Sequence, residues 1–413
     1  MIRILWRKDN KWKRLFPIFD EHPEIIYLDN TASTQKPKAV IDWVSNYLKD
    51  SYANIHRWLY PLSDQSEELY YQSKCALAWL INCKSNEIIY SYNSTYCINL
   101  LAQALVNSWK LWKWDKVLLW IWEHHSNILP RMTLSKIFWF NIEFINETKD
   151  FEIDRKDFEK KFDKHVKVIS VAHVSNVTWQ IMEIEKIRGK IWEETFFIVD
   201  GSQSVPHIPV NIENIQCDAL IMTWHKMMAY TWLWMLYLKH EYIKSLNPLV
   251  LGWWTVKDVS IDNYSLQNNA DKREAWTPNI IWAVSLLKAI ETINYIWWME
   301  KIQQHENLLI NALCNWFKQR KSYVKLIGNL DPDNRIWTFS FILKENKNFN
   351  QLWELFANNN IYIRTWWHCA YPLHKSLDVW WSARVSTYIY NSLDDIEKFF
   401  KALDSIIKES KII

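Results

Sequence analysis

One lysine closes a hydrophobic run with a hydroxyl and an imidazole just ahead of it, a grouping suited to covalent chemistry on a carbonyl. The run is Asp218-Ala-Leu-Ile-Met-Thr-Trp-His-Lys226, and Phe197-Ile-Val-Asp200-Gly-Ser-Gln203 precedes it. Short apolar runs ending in polar groups predict buried parallel strands that deliver side chains to the carboxyl edge of a sheet, where open α/β sheets hold their ligands. Asp200 and Gln203 bring a carboxylate and an amide, while Thr223, His225 and Lys226 bring a hydroxyl, an imidazole and an amine. That set suits pyridoxal 5'-phosphate. The lysine would join it as a Schiff base, the carboxylate would pair with the pyridinium nitrogen so that the ring draws electrons, and the short polar groups would hold the phosphate.

Further groups fall at equivalent places along the chain. Glu123-His124-His125 follows the apolar run Lys116 to Ile121, and Asn176 follows the buried run Val166 to Ala172. Adjacent histidines in extended backbone point opposite ways, so one of the pair faces the site, where an imidazole relays protons near neutral pH. Ser94 and Thr95 stand at a strand-to-helix turn, which predicts an N-cap and places donors and the positive helix end on an anion. Cys369 lies in Arg364-Thr-Trp-Trp-His-Cys-Ala-Tyr-Pro372, a strand end followed by a loop. His368 beside it would favour the thiolate, the reactive form.

Six motifs, in order and at suitable spacing, resemble those of the group II cysteine desulfurases of the SufS type, within the class V aminotransferases. They are Glu123-His124-His125-Ser-Asn127, His173-Val-Ser-Asn176-Val, Asp200-Gly-Ser-Gln203, Thr223-Trp-His225-Lys226, Arg273-Glu-Ala-Trp-Thr277-Pro-Asn and Arg364-Thr-Trp-Trp-His368-Cys369-Ala. The resemblance runs from about Phe16 to the C-terminus. It implies a fold-type I pyridoxal phosphate transferase, α/β with a mostly parallel central sheet and a smaller C-terminal α+β domain. It further implies that His124 lies flat on the cofactor ring, that Ser94 and Thr95 cradle the phosphate, and that Asn176 bonds the phenolic oxygen or the substrate carboxylate. Arg384, assisted by Arg364, would fork that carboxylate. Lys226 would act as general base at Cα, and Cys369 would take the sulfur of L-cysteine as a persulfide, leaving alanine. Family members are homodimers in which the threonine matching Thr277 reaches the other subunit's phosphate. The sulfur would pass to an acceptor of the SufE or SufU kind for iron-sulfur cluster assembly. Selenocysteine lysis, another reaction of the same enzyme class, and a non-catalytic scaffold role remain open at this level.

One departure from the pattern recurs. Ordinary usage of about 7% predicts roughly 29 glycines in such a chain, yet it has 4 glycines and 29 tryptophans. Tryptophan stands where tight backbone is expected, at Trp58, Trp232 and Trp234 and in the pairs Trp253-Trp254, Trp297-Trp298, Trp366-Trp367 and Trp380-Trp381. An indole cannot replace a glycine that needs positive φ or close approach to a phosphate. The expectation is that the gene uses UGA for glycine and was read with a code that makes it tryptophan.

The remaining features are bounds. With 413 residues there is room for a large and a small domain, divided here as 16–285 and 286–413 after an N-terminal extension, 1–15. A net charge of +3, from 49 basic and 46 acidic residues, asks for no nucleic acid. No apolar run suits a signal peptide or a membrane span, so a cytoplasmic enzyme is expected. Six cysteines without a C-x-x-C pair argue against a metal site or a disulfide framework, and most should be buried thiols. Pro37 opens one predicted helix, and Ser63 caps a second running from about Asp64 to Ile81. Trp234 to Leu238 reads as an outer strand, Ile281 to Phe317 as one long helical stretch, Arg335 to Leu343 as an alternating strand, and Leu393 to Ile407 as an amphipathic helix.

Overall fold

The computed structural model describes residue 10 and residues 12–56, 60–231, 234–252, 254–275, 277–296, 299–344 and 351–409. The expectations at Trp58, Trp232, Trp253, Trp297 and Trp298, and at most of the N-terminal extension, lie outside these residues.

Seven strands form the main sheet: β2 (Ile88–Ser91), β3 (Lys116–Trp120), β4 (Asn141–Ile145), β5 (Val166–Ala172), β6 (Phe196–Asp200), β7 (Ala219–Thr223) and β8 (Trp234–Leu238). Their order is β2-β8-β7-β6-β5-β3-β4. From β7 to β4 neighbouring strands run parallel, while β8 is antiparallel to both of its neighbours. Every residue of β6 and β7 is buried, as near-continuous apolar strands covered on both faces must be. The chain leaves β3 for β4 on one side and returns to β5 on the other. The sheet therefore has its topological switch point at β3 and β5, the place where such sheets bind ligands.

Helices pack around the sheet, α1 (Lys38–Asp50), α2 (Pro61–Ile81), α3 (Ser94–Asn107), α4 (His125–Phe138), α5 (Arg155–Lys161) and α6 (Ile280–Ile296), and α7 (Met299–Gln319) follows them toward the smaller sheet. Pro37 precedes α1 as expected. Helix α2 starts earlier than expected, with Pro61 in its first turn and Tyr60 as cap, because proline's fixed φ suits that position. Ser63 is thus inside the helix and does not cap it. The stretch expected as one helix comprises α6 and α7 among the described residues, and residue 285 falls inside α6. Trp234 to Leu238 is not an outer strand: β2 pairs along its free edge.

A smaller antiparallel sheet has the order β11-β12-β15-β14, from β11 (Val324–Ile327), β12 (Thr338–Leu343), β14 (Arg364–Trp366) and β15 (Ser382–Ser386). Helix α7 packs on it with the Phe317 and Phe339 rings stacked at 5.4 Å between centroids, and meets the amphipathic C-terminal helix α10 (Leu393–Glu409) where Phe317 and Phe400 lie edge to face at 4.9 Å. Two short helices, α8 (Leu352–Ala357) and α9 (Tyr371–Ser376), flank β14, β1 (Ile26–Tyr27) pairs in parallel with β13 (Ile361–Tyr362), and β9 (Val256–Val259) pairs antiparallel with β10 (Tyr264–Leu266). The two sheets share a continuous core. Among the described residues no helix is long and apolar enough to cross a membrane, and no group of three or more His, Cys, Asp or Glu could hold a metal ion.

Candidate active site

Each parallel strand near the switch point ends in a polar residue of the expected set. Asp200 closes β6, Thr223 closes β7 with His225 and Lys226 just beyond, His124 follows β3 and Asn176 follows β5. Asp200 is buried; its carboxylate accepts the Ser202 amide at 2.9 Å and its carbonyl accepts the His173 amide at 3.0 Å. Gly201 beside it leaves no room for a side chain, since an added Cβ would lie 2.9 Å from the Leu220 side chain on β7. The Thr223 hydroxyl donates to the Ser202 carbonyl at 3.2 Å, tying the ends of β6 and β7 together.

Electrostatics show which groups share one space. Burial pushes the Lys226 amine from 10.5 down to about 8; Asp200 and Cys369 raise it, while Arg384 and Arg364 lower it further. Burial also takes His124 down to about 3, with the Lys226 charge adding to the effect. Its imidazole is therefore neutral at pH 7, a proton acceptor or tautomeric relay rather than a cation. His225 is likewise held near 3 by burial, and next by Lys226.

The cap of α3 is Asn93, whose side chain accepts the Tyr96 amide. Ser94 and Thr95 are its first helical residues, not its cap, since the Asn93 side chain, one residue upstream in extended backbone, already accepts that amide. Thr95 joins the site by a different route: its hydroxyl lies 2.7 Å from Ser126 Oγ, which is 3.0 Å from His124 Nδ1. Thr277 is exposed in its own segment. That segment is anchored by buried Glu274, which receives Lys74 Nζ at 2.8 Å, the Tyr70 hydroxyl at 2.6 Å and the Tyr90 amide at 2.8 Å.

The small sheet brings the arginines. Arg364 and Arg384 are directly paired across β14 and β15, an arrangement of like charges that is unfavourable unless an anion relieves it. Arg384 is buried and held near 10 by that burial. It donates to the Asn176 carbonyl and to Asp29 Oδ1, each at 3.2 Å. The Asn176 amide in turn donates to the His368 carbonyl at 2.5 Å, so clamp, amide and the cysteine loop form one unit. Cys369 is partly exposed and, like His368, holds positive φ (59° and 50°). His368 does not favour the thiolate as expected. It is buried against Ser382, and burial followed by the Arg384 charge keeps it far below 6.5 and neutral. The cations near Cys369 are Lys226 and Arg384.

Three contributors were missed from the sequence. Lys36 donates to the His225 carbonyl at 3.0 Å and is lowered to about 7 by burial; Asp29 holds Arg384; Glu123 ties α4 to β5 through Asn127 at 2.7 Å and the Ala172 amide at 2.8 Å. Only Glu123, adjacent to the histidines, carried a signal. Buried polar atoms at Ser202 Oγ, Gln203 Oε1, His368 Nδ1 and Arg384 Nε have no protein partner. Buried polar groups are normally paired, so these, with the carboxylate, amine and arginine pair, fit an anionic, hydrogen-bonding ligand such as pyridoxal phosphate with an amino acid.

Fold and site together define a pyridoxal phosphate enzyme of the α/β class. The chain belongs to the Aminotransferase class-V family, whose profile matches residues 26–399. It is 32% identical to the "Probable cysteine desulfurase" of Pyrococcus abyssi over 93% of this chain and 95% of that one. It is 30% identical to the protein of that name from Synechocystis, over 95% and 94%. Among solved structures, the apo cysteine desulfurase of Thermococcus onnurineus superposes with a TM-score of 0.90 at 30% identity, covering 96% of this chain and 97% of that one. The cysteine desulfurase CsdA of Escherichia coli, at 22% identity, has the same fold, with a TM-score of 0.86 over 96% and 98%.

Proposed function

We propose that this chain is a cysteine desulfurase of the SufS type, converting L-cysteine to L-alanine and a persulfide on Cys369. The observation that carries this is the joining of the Cys369 loop to the carboxylate clamp through Asn176, within electrostatic reach of Lys226. Pyridoxal phosphate would be held by Lys226, Asp200, Gln203, Thr223, His225, Ser94 and Thr95, with Thr277 of the partner subunit in a homodimer, and it supplies an electron sink for the Cα carbanion. Arg384 and Arg364 fork the substrate carboxylate, with Asn176 beside them. Lys226, poised near neutrality, removes the Cα proton. His124, held neutral by burial, would help hold the cofactor and could accept or relay a proton beside it. The Cys369 thiolate then attacks the substrate sulfur: the new S–S bond forms, the Cβ–S bond breaks and its electron pair takes a proton at Cβ. Cysteine plus the Cys369 thiol thus becomes alanine plus the Cys369 persulfide, with no outside oxidant. The sulfur leaves to an acceptor protein in the cytoplasm for iron-sulfur assembly.

Glycine in place of many of the tryptophans belongs to the same proposal. Among the described residues Trp109, Trp114, Trp139, Trp179, Trp254 and Trp366 take φ between 58° and 124°, whereas only two glycines are positive. Trp139 ends α4 in the left-handed conformation that glycine favours there. Buried Trp120, Trp122, Trp179, Trp224 and Trp337 have no partner for the indole N–H, which buried tryptophans normally find.

The deciding experiment replaces Cys369 with alanine. The variant should bind L-cysteine with the usual absorbance change of the cofactor yet release almost no alanine, while single replacements of Cys75, Cys83, Cys97, Cys217 and Cys314 keep turnover. Alanine formation at the parental rate would overturn the assignment. TGG codons at positions 224, 232, 234 and 366 would sink the glycine part alone.

A further inference from the structure

The second histidine of the pair, His125, has no place in the chemistry above, yet it holds both ends of the segment that bears the nucleophile. It is the first residue of α4, so its backbone N–H is one of those a helix leaves without an internal partner. That N–H donates to the Cys369 carbonyl at 2.7 Å. Its side chain then reaches across the same loop, and Nε2 lies 3.0 Å from the Tyr371 amide. Tyr371 opens α9, so this amide too lacks a partner within its helix. A single residue, Ala370, separates the pinned points, Cys369 and Tyr371, and the thiol projects from the first. On the other side, Asn176 holds the His368 carbonyl. Cys369 thus sits between two anchors, in a left-handed backbone that a cysteine would not keep unaided.

We propose that His125 is the positioning residue that aims the Cys369 thiol at the substrate sulfur, by accepting the Tyr371 amide at Nε2 with its ring neutral and its proton on Nδ1. This rests on the desulfurase function proposed above. His124 and His125 then divide the labour, the first turned to the cofactor side and the second to the nucleophile's loop. The bond is made at the partly exposed rim of the site. The same loop must offer its persulfide to an acceptor, and a single neutral hydrogen bond there holds the loop without locking it.

The test is single-turnover persulfide formation on the holoenzyme without acceptor, read by mass on the Cys369 peptide, beside a titration of L-cysteine by cofactor absorbance. His125→Ala should slow persulfide formation roughly 3- to 10-fold, the worth of one such bond, and leave the L-cysteine titration unchanged. His125→Gln, whose side-chain carbonyl reaches where Nε2 does, should recover the rate to within about twofold of the parent. A parental rate in His125→Ala, an equally slow His125→Gln, or a loss of L-cysteine binding in parallel with the rate would each overturn the positioning role. Cys369→Ala run alongside separates the two proposals: if it still makes alanine, the desulfurase function fails, whatever His125 does.

Discussion

Replacing Lys226 by methionine should make the cofactor-free protein more stable while destroying its activity. The amine falls from 10.5 to about 8 because burial disfavours its charged form. At about 1.4 kcal/mol per tenfold step, that gap is worth about 3 kcal/mol, and the part of Lys226 still open to the cleft trims it to roughly 2 kcal/mol. The sign follows from proton counting. Below pH 8 both folded and unfolded chains carry the proton and the folded state bears the whole cost. Between pH 8 and 10.5 the folded amine gives up its proton while the unfolded one keeps it, so the parent gains stability as pH rises. Methionine fills nearly the same volume without a charge and has no such dependence. Denaturant unfolding of both apo-proteins should therefore show the variant ahead by about 2 kcal/mol at pH 7, with the difference fading by about pH 10.5. A variant less stable at pH 7, or a difference that does not change with pH, would refute the claim that a buried charge strains this site.

Arg384→Lys loses the planar fork and should raise the KM for L-cysteine about 10- to 100-fold, the worth of charged hydrogen bonds, with a smaller change in kcat measured by alanine release. Glu274→Ala leaves Lys74 buried beside two tyrosines with no carboxylate and should cost about 3–5 kcal/mol in denaturant unfolding. Trp366→Gly relieves a φ of 124° at an exposed residue and should stabilise by about 1–3 kcal/mol; a loss of stability in the same assay would count against glycine at that position.

The strands that carry the chemistry were legible because burial on both faces forces unbroken apolar runs, and β5, β6 and β7 end within a residue or two of where those runs end. What covers a strand is not written in the strand itself. Trp234 to Leu238 looked like an edge because nothing in it records that Ile88–Ser91, far earlier in the chain, pairs alongside. Caps were misjudged for a local reason: Ser63 and Ser94 are good capping types, but Pro61 and Asn93 stand upstream and act first. His368 beside Cys369 suggests a residue that favours the thiolate, whereas its charge is decided by burial against Ser382 and by Arg384. Lys36 and Asp29 reach the site across the fold, a separation of 189 residues in one case and 355 in the other, which no local pattern reports.

Arg364 and Arg384 lie in the same four-stranded sheet from which the Cys369 loop departs. On the proposed roles, the strands that grip the substrate's carboxylate also launch the loop whose thiol strikes its sulfur. The site therefore works as a calliper set to the span of a single amino acid. Adding one methylene, as in homocysteine, leaves the grip intact but carries the sulfur past the thiol, so discrimination by length comes without any pocket shaped to exclude the longer molecule.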